Sequence, residues 1–273
     1  MAGKLFIVGT PIGNLEDITL RALRALREAD LIAAEDTRQT AKLLARYEIS
    51  KRLVSYHEFN EAKRTAELLR ELQQGRTVAL VSDAGMPTVS DPGLRLIRAV
   101  LETQSALERD EGGSGCDVGR DTLSLVGTRS PRPGRAGARP YQTQATQQPA
   151  PAISIEVVPG PSAVTMALAV SGFAGCPALF YGFLPHKSAQ RRKTLSALDA
   201  LRFTLVFFES PYRLVKSLHD MRELLGNRRA VVARELTKKF EEIVRGDLDA
   251  ILKKLENRRI KGEITVVVEG SEE

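Results

Sequence analysis

Tryptophan is absent from this chain, and phenylalanine and tyrosine together make up only 5% of it. With so few aromatic side chains, a base-stacking platform is not expected. Cysteine is scarce: Cys116 and Cys176 are the only two. Two unpatterned cysteines build neither a disulfide framework nor a zinc site, and they suit a reducing compartment. Three histidines without metal-ligand spacing give no reason to expect a metal. No apolar run approaches the roughly 20 residues that a membrane helix needs. No charged-then-apolar leader opens the chain, since Lys4–Val8 already reads as a strand. A cytoplasmic protein with no membrane contact is expected. Three motifs are also missing. There is no Gly-x-x-x-x-Gly-Lys-Ser/Thr loop for a nucleotide triphosphate, no Gly-x-Gly-x-x-Gly after the first strand for a dinucleotide, and no Gly-x-Ser-x-Gly elbow for a hydrolase.

What is present is a chain of 273 residues, 42% hydrophobic, with a formal net charge of +6. That supports one large core or two modest ones. The basic excess suits a polyanionic partner such as nucleic acid. Short apolar runs alternate with amphipathic segments. Strands are predicted at Leu5–Val8, Leu31–Ala34, Leu53–Tyr56, Thr77–Val81 and Ile155–Val158. Helices are predicted between them: one carrying Leu20, Leu23 and Leu26 with Asp17 as N-cap, then Thr40–Tyr47, Glu61–Gln74 with Ala62, Ala66, Leu69 and Leu72 inward, Leu94–Leu101 and Ser162–Ser171. This alternation predicts an α/β fold with a mostly parallel sheet. After Pro177, strands are predicted at Leu179–Tyr181, Thr204–Phe208, Ala230–Ala233, Glu242–Val244 and Ile264–Val268. A helix with Ser210 as N-cap buries Leu214, Leu218, Met221 and Leu225 and closes at Gly226. The reading is two α/β lobes, each a mostly parallel or mixed sheet flanked by helices, residues 1–175 and 176–273, with the boundary near Gly175. Residues 103–152 keep no helix or strand period and are rich in Gly, Pro, Gln and Arg. Such composition predicts a disordered surface insertion, or alternatively a linker between lobes.

In open α/β sheets, ligands bind beyond the carboxyl ends of the strands. Five strand ends of the first lobe are furnished alike: Gly9-Thr10-Pro11-Ile12-Gly13-Asn14, Glu35-Asp36-Thr37-Arg38, His57-Glu58-Phe59-Asn60, Ser82-Asp83-Ala84-Gly85-Met86-Pro87 with Ser90-Asp91-Pro92-Gly93, and Pro159-Gly160-Pro161-Ser162-Ala163. Any one of them can be a simple turn. All five together point to a ligand site, since glycine admits a close ligand and proline stiffens the loop.

At these loops the chain resembles a known family. Val8–Ile18, Ala34–Arg38, Ser82–Gly85, Pro159–Ala163 and Ala233–Lys238, with Gly182-Phe183-Leu184-Pro185 and the Lys-Gly-Glu at Lys261, resemble the small-subunit ribosomal RNA methyltransferase I family of the tetrapyrrole-methylase-like superfamily. The resemblance covers nearly everything but residues 103–152. It implies two lobes with S-adenosylmethionine in the cleft between them, a homodimer, and methylation of a cytidine ribose 2′-hydroxyl in small-subunit ribosomal RNA, free or in the ribosomal subunit. It implies cofactor contacts from Pro11, Ala84, Gly85, Met86, Val89, Ser162 and Ala163, and from Glu209 and Leu236 of the second lobe. The chain departs from the family pattern at Met86, where threonine is usual, and at the insertion.

A ribose hydroxyl is a poor nucleophile, so a nearby base is expected. Glu35, Asp36, His57 and Asp83 are candidates, and the pair Glu35 and Asp36 is preferred, with Arg38 close enough to keep one ionised. Two other readings stand beside this: Asp36 as a helix N-cap, and His57 as a hydrogen-bonded structural residue. For RNA, Arg38 and a basic helix start at Lys187, Arg191 and Arg192 are the expected contacts. Ser188 is the expected N-cap there, and no acidic residue follows until Asp199. A solvated charged face is the alternative. Two rivals remain for the function: a superfamily methyltransferase of a small tetrapyrrole or a protein, and a non-catalytic RNA-binding module.

Overall fold

The computed structural model describes residues 3–111 and 152–271. The apolar runs form strands of two five-stranded sheets. In the first, β1 (Lys4–Val8), β2 (Leu31–Ala34) and β4 (Thr77–Val81) are buried almost throughout, as parallel strands covered on both faces must be. With β3 (Arg52–Ser55) and β5 (Ser154–Val158) they make an all-parallel sheet of order β3-β2-β4-β1-β5. Alternate residues serve opposite cores, as the two-residue period of a strand requires. Phe6, Val8, Ile32, Ala34, Ala79 and Val81 pack on α1 (Leu20–Glu28) and α2 (Thr37–Arg46). Leu5, Leu31, Ala33, Val78 and Leu80 pack on α3 (Glu61–Gln73) and α4 (Leu94–Glu111).

After α5 (Ala163–Ser171) the second sheet contains β6 (Ala178–Phe183), β7 (Thr204–Glu209), β8 (Arg229–Arg234), β9 (Glu242–Asp247) and β10 (Ile264–Val268), in the order β6-β7-β10-β8-β9. Only β6 and β7 pair in parallel; the other pairings are antiparallel. One face packs on α6 (Ser188–Leu198), α7 (Leu214–Leu225) and α8 (Leu248–Leu255). The other face, through Val206, Val231, Ala233 and Val267, packs on α5 and on Ile12 of the first lobe. α5 precedes Gly175 in the chain, yet its packing is against β8 and β10. A helix apolar nearly all round can pair with whichever sheet face is open.

Several local expectations are corrected. Thr19, not Asp17, caps α1: its Oγ1 accepts the Ala22 N–H at 3.0 Å, while Asp17 closes a 3-10 turn capped by Asn14. Leu20 stands 81% exposed, and Ala22, Leu23, Ala25 and Leu26 form the buried stripe. α3 buries Thr65, Leu68 and Leu72 and leaves Ala62 and Ala66 outside. α4 runs on to Glu111, past the break predicted at 103; residues 112–151 of the predicted insertion, Cys116 among them, lie outside the described residues. α7 buries its four predicted apolar residues, but Ser210–Arg213 is a turn and regular helix begins at Leu214. α8 escaped the sequence reading, although Asp247 caps it and Leu248, Ile251, Leu252 and Leu255 recur at helical spacing. Among the described residues no helix is long and apolar enough to cross a membrane.

Candidate active site

The ends of β1, β2 and β4 and the start of α5 face the ends of β6 and β7 and the start of β10 across a cleft of about 440 Å³. Ile12, Ala84, Met86, Val89, Val164 and Phe208 give it apolar walls. The cleft also takes in Gly85, Ser162, Ala163 and Glu209. Seven of the nine expected cofactor residues therefore line one space: Ala84, Gly85, Met86, Val89, Ser162, Ala163 and Glu209. Pro11 and Leu236 do not. Pro11 is buried beside the lining residue Ile12. Leu236 sits in the core beneath the cleft, 6% exposed, packed with Val231 and Val267.

The loop after β4 is the most strained part of the cleft. Gly85 has φ +82°, and its N–H and C=O both bond to Thr10, at 3.1 and 2.9 Å. A side chain there would meet Ile12 and the Pro161 carbonyl only at ordinary contact, 3.5 Å. The backbone angle alone favours glycine at this position. Thr88 and Ser90 also adopt left-handed backbone, φ +74° and +70°. Non-glycine residues held there store strain that the surrounding structure must offset, a pattern concentrated at functional loops. Gly9 and Gly160 let the loops after β1 and β5 cross: a Cβ on Gly9 would stand 2.6 Å from the Gly160 nitrogen.

Three carboxylates from two strand ends, Glu35, Asp83 and Asp91, line the cleft, with Glu263 opposite. The Asp83 N–H points at the Glu35 carboxylate, 3.4 Å away, and Asp83 Oδ1 accepts the Asp36 N–H at 2.9 Å. These bonds clip the β2 and β4 loops together. Burial raises the Glu35 carboxyl above its ordinary value. Burial, with the nearby Glu35 charge, pushes Asp91 up to about 7. Asp91 was visible in its loop but carried no distinguishing sequence signal.

Asp36 stands apart from this cluster. Its Oδ1 caps α2 through the Arg38 N–H at 2.8 Å, and the Arg38 guanidinium grips both carboxylate oxygens at 3.0 and 2.8 Å. That pairing holds its carboxyl down to about 2. Asp36 thus fits the alternative reading of it as the cap of α2, with its carboxylate held by Arg38. His57 is likewise tied into its own turn: its Nε2 lies 3.1 Å from the Asn60 side-chain nitrogen, and its N–H donates to Asn60 Oδ1 at 2.9 Å. Glu209 reaches the cleft with its carboxylate already engaged. Arg213 at 2.6 Å, the Ser217 hydroxyl at 2.5 Å and the Ser210 N–H at 2.7 Å all bond to it. It holds the Ser210–Pro211 corner of the wall.

The basic start of α6 is not the free cationic face that the sequence predicts. Lys187, not Ser188, occupies the N-cap. Arg191 is 5% exposed and bonds Asp220 of α7 at 2.6 and 2.7 Å. Arg192 bonds Asp220 at 3.0 Å and also Glu223. The missing acidic complement comes from the neighbouring helix. Lys187 and Arg38 remain exposed. Among the described residues no group of three His, Cys, Asp or Glu side chains is placed to hold a metal ion.

The model of the Tetrapyrrole (Corrin/Porphyrin) Methylases matches residues 4–108 and 133–252. The chain belongs to the tetrapyrrole methylase family. It is a methyltransferase, and methyltransferases of this family use S-adenosylmethionine. Among its relatives is the ribosomal RNA small subunit methyltransferase I of Thermotoga maritima, 43% identical over 99% of this chain and 100% of that protein. The proteins of the same name from Halalkalibacterium halodurans and Bacillus subtilis are 41% and 38% identical, over 99% and 98% of this chain and 77% and 76% of theirs. Two solved structures share the fold of this tetrapyrrole methylase. The methyltransferase CobJ superposes with TM-score 0.61 at 18% identity, covering 99% of this chain and 95% of that one. A cobalt precorrin-4 methyltransferase of cobalamin biosynthesis gives 0.56 at 16% identity, covering 97% and 94%.

Proposed function

We propose that this chain transfers the methyl group of S-adenosylmethionine to the 2′-hydroxyl of a cytidine ribose in small-subunit ribosomal RNA, as a homodimer in the cytoplasm, on free RNA or on the ribosomal subunit. The names of relatives that match along nearly the whole chain support the RNA substrate. The single observation that carries the reaction is the composition of the cleft. Its volume lies in the range of about 300–1,000 Å³ usual for small-molecule sites. Its apolar walls suit an adenine ring. The first turn of α5 enters it through Ser162, Ala163 and Val164, and Ser162 makes no side-chain capping bond. First-turn amides have no helical partner and favour an anion, here the carboxylate of the methionine part. The carboxylates Glu35, Asp83 and Asp91 present negative charge to a sulfonium.

When bound, the cofactor supplies an electrophilic methyl carbon. The protein must hold the attacking hydroxyl in line with it and exclude water, which converts a bimolecular step into an intramolecular one. Ala84, Met86 and Val89 wall off solvent on one side, and Phe183 and Phe208 on the other. Asp91 accepts the hydroxyl proton at its carboxylate. A base works best with its pKa near working pH, and this group sits near 7 because burial, and then the neighbouring Glu35 charge, disfavour its ionised form. Glu35 tunes Asp91, and Glu209 fixes the wall through Arg213 and Ser217. Lys187 is an exposed cation available to a phosphate.

Two measurements test this reading. Calorimetry of the purified protein should show one S-adenosylmethionine site per chain. Incubation with labelled cofactor and unmodified small-subunit rRNA should place the label on a cytidine ribose oxygen. Label on a base, or on no rRNA residue, would overturn the assignment.

A further inference from the structure

A second cavity, of about 430 Å³, opens beside the active-site cleft. The two are consecutive along the chain: residues up to Lys261 line this one, and Gly262 onward lines the cleft. Its floor is apolar, made by Leu214, Val232, Val244 and Leu255. Phe240 contributes an aromatic wall and is 66% exposed. Its remaining lining is mostly cationic. Glu242 is saturated: Arg258 binds both its oxygens at 2.8 and 3.0 Å, and Arg234 Nε reaches one at 3.1 Å. Glu235 is held by Lys238 at 3.0 Å. Among the described residues Arg259 and Lys261 have no carboxylate partner, and Lys239 stands with its ammonium 5.7 Å from the Phe240 ring. Four cations, Arg234, Arg258, Arg259 and Lys261, face two carboxylates that are already paired.

An apolar floor, an exposed aromatic face and spare cations are the complement of a nucleotide: a flat base with a charged phosphate on either side. Single-stranded RNA is gripped in this way, by stacking on aromatic side chains and by cations along the backbone. We infer that this groove holds a nucleotide of the substrate RNA next to the methylated one, with its base against Phe240 and its phosphates on Arg259 and Lys261. The inference rests on the rRNA reading above. It moves the RNA grip from α6, whose arginines are spent on Asp220 and Glu223, to the segment that leads directly into the cleft. The low aromatic content argued against a stacking platform, but one exposed ring, Phe240 at 66%, suffices for a single base.

The test is binding of purified small-subunit rRNA by the full chain across a salt series, with S-adenosylmethionine affinity and thermal midpoint read in parallel. Phe240→Ala should weaken rRNA binding roughly tenfold, and Phe240→Tyr should restore it. Arg259→Ala should flatten the slope of log K against log salt by roughly 0.7. In steady state both losses should appear in KM for rRNA, with kcat unchanged. Cofactor affinity and thermal midpoint should stay at the wild-type values, since both side chains are exposed and outside the cleft. Folded variants with unchanged rRNA affinity and salt slope would overturn the proposal. A shift from dimer to monomer with rRNA affinity intact would assign the groove to a subunit contact and overturn it too. Failure of the unmutated protein to bind rRNA would instead overturn the substrate reading itself, and the groove's assignment with it.

Discussion

Asp91 shows how a single residue acquires chemistry from its position. Its carboxyl moves from an ordinary 3.8 to about 7 because the fold partly buries it beside Glu35 and Asp83. A raised folded-state pKa stabilises the protein at low pH, where the group is protonated in both states. That stability is lost as pH rises from about 4 through 7, because the unfolded chain ionises first. Asp91→Asn should therefore match the wild type in melting temperature near pH 4. It should gain over the wild type progressively up to pH 7 and hold that gain above it. Scanning calorimetry from pH 4 to 9 checks this, and a pH-independent difference would contradict it. The rise of the methyl-transfer rate around pH 7 should disappear in the same variant. The loops around Ala84, Gly85, Ser162 and Ala163 were legible because glycine and proline announce a turn within a few residues. Asp91 was not, because its pKa is set by burial in the fold and by a carboxylate from another strand end.

Helices illustrate the same division at the next scale. The stripe of α7 was readable because Leu214, Leu218, Met221 and Leu225 keep strict helical spacing. In α3 small alanines blurred the pattern, and Thr65 and Leu68 took the buried face. For α6, spacing put the charges near one another but could not reveal Asp220. Arg191 and Asp220 are 6% and 11% exposed at the side chain and bond at 2.6 Å. Removing one member of a buried pair typically costs about 3–5 kcal/mol. Arg191→Ala should fall near the lower figure, since Arg192 still reaches Asp220 at 3.0 Å. Urea unfolding measures the loss. The salt slope of rRNA binding should not change, because Arg191 is not free to meet a phosphate. A flatter slope with unaltered stability would return α6 to the RNA interface.

On the scale of the whole molecule, both lobes build one cleft, and β5 enters it from beyond residues 112–151. The register of β5 is set independently, by pairing from Lys4↔Ser154 to Val8↔Val158. The Gln104 side chain also bonds the Ile153 carbonyl. Replacing 112–151 by about ten Gly and Ser residues should thus preserve the fold and cofactor affinity, because closure entropy changes slowly with loop length. Methyl transfer to rRNA should stay within a few-fold of the full chain. Loss of cofactor binding in a folded deletion would show that the segment completes the cleft.

The sequence alone was enough to locate ten strands, most helices and the loops that furnish the cleft. Each depends on residues a few positions apart: apolar alternation, helical period, and the backbone angles open to glycine and proline. Tertiary structure decided the rest. It set the strand order of the second sheet, put α5 against that sheet, brought Glu35 beside Asp91, and closed Arg191 onto Asp220. Whether a charge is free or spent depends on what lies within about 3 Å of it in space, and ion-pair energy depends on that separation and on burial. Neither is a property of neighbours along the chain.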